Sequence, residues 1–78
     1  MRKLKLIWDF KGEDAELTAK HHLTHLQEYV QKEEVQVITS GIEHITGKHH
    51  ICFLALQEEH MPQVRDALKP HRGQLWQD

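Results

Sequence analysis

Eight histidines among 78 residues are the chemical outlier of this chain, and six of them form two short clusters. His44, His49 and His50 flank Thr46-Gly47-Lys48. Neutral imidazole is a ligand for zinc, nickel or copper, and Cys52, two residues on, can add a thiolate. His44, His49 and His50 are therefore the candidate metal ligands. Their mutual placement depends on the turn. With Thr46-Gly47 as a two-residue loop, His44 lies opposite His49 and Glu43 opposite His50. With Gly47-Lys48 as the loop, His44 faces Ile51 and the cluster disperses. The second cluster is His21, His22 and His25. His21 and His25 have helical chelate spacing but no third ligand close by in sequence, and a solvated face explains them equally well. There is no Cys-x-x-Cys pair and no His-Glu-x-x-His motif.

Asp9 and His22 are the candidate small-ligand residues. Asp9 follows Trp8 near the end of an alternating apolar stretch, where a carboxylate beside a histidine can act as a general base or simply be solvated. His22 borders an apolar helical stripe, where it can contact a ligand or hydrogen-bond to the sheet edge or a partner. Lys69-Pro70-His71-Arg72-Gly73 gathers cationic side chains that can bind an anion or complement a helix C-terminus. Cys52 sits in the most apolar run of the chain and reads primarily as a small buried hydrophobe.

These residues need elements to hold them. Leu4, Leu6, Trp8 and Phe10 alternate with Lys3, Lys5, Ile7 and Asp9, which is the period of a strand. Ala15, Ala19, Leu23, Leu26 and Val30 share one side of a helical wheel, predicting a helix over about 13–33 with acidic Glu13, Asp14 and Glu16 at its start. Val35, Val37, Ile38 and Ile42 predict a second strand, with Gly41 as a candidate bulge. His50–Leu56, apolar on both sides, predicts a central strand covered on both faces. A helix opens at Glu58-Glu59 with Pro62 in its first turn and stops at Pro70. Gly73 punctuates a loop, and Gln74–Gln77 is a short final strand. The order βαββαβ predicts a ferredoxin-like α+β domain over residues 1–78, a four-stranded antiparallel sheet with both helices on one face.

Length and charge bound the function. One cysteine excludes an internal disulfide, and a domain this small is commonly supported by a metal or by oligomerisation. A net charge of −2 gives no general attraction to nucleic acid or to an acidic membrane. The apolar run Leu6-Ile7-Trp8 is too short for a signal peptide or a membrane span, so the expected compartment is the cytoplasm. Ile7, one side of the central strand and one tryptophan turn away from the helices, which predicts a homodimer formed through the open sheet face, with a small-molecule ligand between the sheets.

Across its whole length the chain resembles small βαββαβ domains that assemble through their sheets, the dimeric α+β barrel proteins and the ACT-like ligand-binding domains, in element order and in Leu4–Phe10 and Ile51–Leu56. His44, His49, His50 and Cys52 are also similar to the histidine-rich strand and central cysteine of the metal-binding domain of nickel-responsive repressors, although no His-x-His pair is present. These resemblances imply an oligomeric binding module for a small ligand or a transition metal. The alternatives are a barrel-type enzyme using a histidine and Asp9 for acid–base chemistry, and an interaction domain whose histidines sense pH.

Overall fold

A computed structural model describes residues 2–77; Met1 and Asp78, the ends of the expected domain, lie outside the described residues. The order is β1 (Lys3–Lys11), α1 (Ala15–Lys32), β2 (Val37–Thr46), β3 (His49–Gln57), a 3-10 turn (Glu58–His60), α2 (Met61–Leu68) and β4 (Arg72–Leu75). This is an α+β fold with one sheet in the order β2-β3-β1-β4, every neighbouring pair antiparallel.

Alternation divides the sheet. Leu6, Trp8, Cys52, Leu54 and Leu56 pack with Leu26 of α1 and Val64 of α2 in the main core, so both helices cover the same face. Trp8 is 2% exposed, and its indole N–H donates to the Leu68 carbonyl at 2.9 Å, which satisfies a polar group that burial would otherwise penalise. The opposite face holds Ile7, Ile51 and Phe53. Among the described residues no helix covers them, yet they are only 1%, 2% and 8% exposed. Their cover comes from the chain itself. Trp76 stacks on Phe53 with ring centroids 5.8 Å apart. The Lys5 ammonium lies 4.6 Å from the Phe53 ring centre and pairs with Glu43. Side chains of the same chain thus cover most of this apolar centre.

The helices end without glycine. α1 closes through a left-handed Glu34 and α2 through a left-handed Lys69. Some details differ from the sequence expectation. α2 starts at Met61, after the 3-10 turn, with Pro62 in its first turn. β4 is Arg72–Leu75, so Gly73 is paired with Leu6 inside the strand and does not punctuate a loop. The irregularities of β2 lie at Ile38 and Ile45, between Val37 and Thr39 and between His44 and Thr46, and not at Gly41. Val37 and Ile42 both pack on the helix-side core. They are five residues apart, an odd spacing that strict alternation sends to opposite faces, and one extra residue at Ile38 restores them to the same face. Gly41 instead lies under Phe53, where a Cβ would meet the ring at 3.3 Å.

Leu54 is fully buried and Leu17 is 61% exposed. Leu54→Ala should therefore cost about 2–5 kcal/mol in urea unfolding, and Leu17→Ala within about 0.5 kcal/mol.

Candidate functional site

The hairpin register decides which histidines meet. Gly47-Lys48 forms the turn and Thr46 pairs with His49. The extra residue at Ile45 then shifts the ladder by one, so that His44 pairs with His50, Glu43 with Ile51 and Ile42 with Cys52. Neither register expected from the sequence is the one formed, because both assume a regular ladder. The physical reason is Ile42: an unbulged Gly47-Lys48 hairpin would turn it to the open face, and the bulge returns it to the core.

This register separates the three candidate ligands. His44 and His50 share the helix-side face, with rings edge to face and centroids 4.4 Å apart. Glu16, in the first turn of α1, completes the group: one donor atom each from Glu16, His44 and His50 lies within 4.8 Å of the others. The hairpin tip is docked where α1 begins, through the Gly12 N–H to the Lys48 carbonyl at 2.8 Å and the Lys48–Glu13 ion pair at 2.8 Å. Glu16 divides its two oxygens. Oε1 accepts from Lys20 at 3.0 Å and Oε2 lies 3.9 Å from His44 Nδ1. The Lys20 hydrogen bond and charge hold the Glu16 carboxyl below its ordinary pKa, so it is anionic at neutral pH.

His50 is the distinctive member. It is 3% exposed, and its Nε2–H donates to the Gly47 carbonyl at 3.3 Å. Its Nδ1 is buried and has no hydrogen-bond partner among the described residues. An imidazole fixed by a backbone carbonyl at one nitrogen with the other nitrogen unused is the usual outer-shell arrangement of a metal-ligating histidine. Glu16 carried no signal in the sequence, where it reads as a helix-dipole charge. Cys52 does not join the group. It is fully buried, and burial pushes its thiol up to about 12, where it is not a thiolate.

His49 lies on the other face. Its Nε2–H donates to Asp9 Oδ1 at 2.9 Å, and Arg72 grips the same carboxylate with Nε to Oδ2 at 2.9 Å and Nη2 to Oδ1 at 3.0 Å. The Arg72 hydrogen bonds, helped by His49, hold the Asp9 carboxyl far below the usual range. Asp9 thus accepts hydrogen bonds from both His49 and Arg72, and these partners favour its charged form. His22 sits between Trp8 and Phe10, each ring centroid 5.4 Å away. Its Nε2 is buried and without a hydrogen-bond partner among the described residues, and burial lowers its pKa. His21 and His25 are exposed on the outer side of α1, as a solvated face predicts.

Comparisons with protein-family models, with curated proteins and with solved structures gave no match. No helix is long and apolar enough to cross a membrane among the described residues.

The Asp9–Arg72 pair sets a pH dependence. An unfolded aspartate titrates near pH 3.9 and the folded one well below it. The stabilisation is therefore complete above about pH 5 and is lost as the pH falls towards the folded pKa. Asp9→Asn should cost about 1 kcal/mol at pH 7, and its deficit against the native chain should shrink in unfolding curves taken below about pH 4.

Proposed function

We propose that this protein is a transition-metal-binding module whose ion is held by Glu16, His44 and His50. The observation that carries this reading is His50, whose buried Nδ1 has no hydrogen-bond partner among the described residues and whose ring offers a donor atom grouped with those of a second imidazole and an anionic carboxylate. Burying a polar atom unpaired costs about 1–3 kcal/mol, and coordination to an ion would offset that cost. Two imidazoles and a carboxylate form a set that zinc accepts with its fourth position left to water or a ligand, and nickel and copper also favour imidazole. All three donors come from one chain, so ion binding does not depend on a second copy. The strand order β2-β3-β1-β4 is compatible with a ferredoxin-like arrangement. In that frame the ion would tie the tip of the β2–β3 hairpin to the first turn of α1.

Calorimetric titration with zinc and nickel at pH 7.5 tests the reading. The native chain should bind one equivalent. His50→Ala should abolish binding, His44→Ala and Glu16→Gln should each weaken it by about tenfold or more, and His49→Ala should leave it within about twofold. Binding should weaken as the pH is lowered from 7.5, because a ligating imidazole must give up its proton to the metal. One-equivalent binding that survives in His50→Ala would refute the assignment.

A further inference from the structure

A cavity of about 430 Å³ opens on the helix-bearing face, between α2 and the β1–β4 edge. Its apolar wall is Leu4, Leu6, Met61, Pro70 and Leu75. Two features of the chain create it. α2 has only eight residues, too short to cover the sheet out to β4. Gly73, opposite Leu6 in the ladder, contributes no side chain where the helix-facing layer would otherwise be filled. Its φ is not in the left-handed region, and a Cβ there would sit 3.4 Å from Leu6 Cδ2 and 3.7 Å from the Lys5 carbonyl, both ordinary contacts. The backbone therefore tolerates a side chain at this position. Leu75 is left 55% exposed, apolar surface that a ligand would remove from water.

Charge and size narrow the occupant. The two charged residues lining the cavity are Arg65 and Arg72, both cations. Arg72 is committed to Asp9 through Nε and Nη2. Arg65 is 55% exposed and spends its Nε on the adjacent Asp66 at 3.2 Å, which leaves the rest of a five-donor guanidinium for another acceptor. The volume falls near the lower end of the range for small-molecule sites, about 300–1,000 Å³, and suits one short chain better than a helix about 10 Å across. We infer that this cavity binds a small aliphatic carboxylate, its hydrocarbon against Leu4, Leu6, Met61 and Leu75 and its carboxylate on Arg65. The site is separate from Glu16, His44 and His50, and it stands whether or not a metal binds there.

Titration of the full chain with decanoate, and with decanol as its uncharged counterpart, followed by amide NMR shifts, tests the assignment. Decanoate should bind with a Kd of about 0.1–1 mM, the strength expected of a ligand of this size, and shift residues of α2 and β4. Decanol should bind about tenfold more weakly. Arg65→Met should lower decanoate affinity to that of decanol and leave decanol unchanged. Gly73→Val should weaken both, and His50→Ala should weaken neither. Thermal midpoints identify any variant that fails to fold, and Arg65→Met, a solvent-facing change, keeps the test decisive if Gly73→Val does not fold. Equal affinity for acid and alcohol in the native chain, a folded Gly73→Val that binds as the native chain does, or no binding at these concentrations would each overturn it.

Discussion

The nine-residue antiparallel pairing of β1 with β3 is the constraint from which the other features follow. It sets Trp8 against Cys52 and Phe10 against His50 on one face, and Ile7 against Phe53 and Asp9 against Ile51 on the other. Consecutive histidines at 49 and 50 are thereby divided between two environments. His50 enters the layer beneath α1, and His49 joins Asp9 and Arg72 on the open side. Neither chemistry arises from a local motif. Each is a consequence of which way a strand residue points once a neighbouring strand has fixed its alternation.

That logic explains what could be read from the chain and what could not. The α+β class, the order of elements, the buried β3 and the exposed His21 and His25 follow from periodicity, because apolar spacing reports directly on burial. Leu4, Leu6, Trp8 and Phe10 leave little choice of face. Bulges are different. They are inserted to reconcile two demands, here the tight Gly47-Lys48 turn and the burial of Ile42, and no residue type announces them. Ile45 carries the extra residue and looks like any strand isoleucine, whereas Gly41, the residue type that suggests irregularity, sits in a regular ladder beneath an aromatic ring. One unannounced bulge was enough to exchange His49 for Glu16 in the candidate metal group.

The open face is covered largely by side chains of the same chain. Ile7, Ile51 and Phe53 suggest a surface awaiting a partner, yet Lys5, Glu43 and Trp76 fold over it. The aliphatic stem and charged head of Lys5 serve both needs, covering apolar rings and reaching a carboxylate. The other face is less complete. His50 keeps a buried nitrogen without a partner among the described residues, and α2 stops short of β4.

The tautomer and occupancy of His50 are the centre of this account, and imidazole nitrogen NMR reads both in one titration. Without metal, His50 should show a protonated Nε2 and a lone-pair Nδ1. On addition of one equivalent of zinc, its Nδ1 should move to the range of a coordinated nitrogen while Nε2 stays protonated, His44 should follow, and His49 should not. A zinc-dependent change confined to His49, or to His21 and His25, with His50 unmoved, would contradict it.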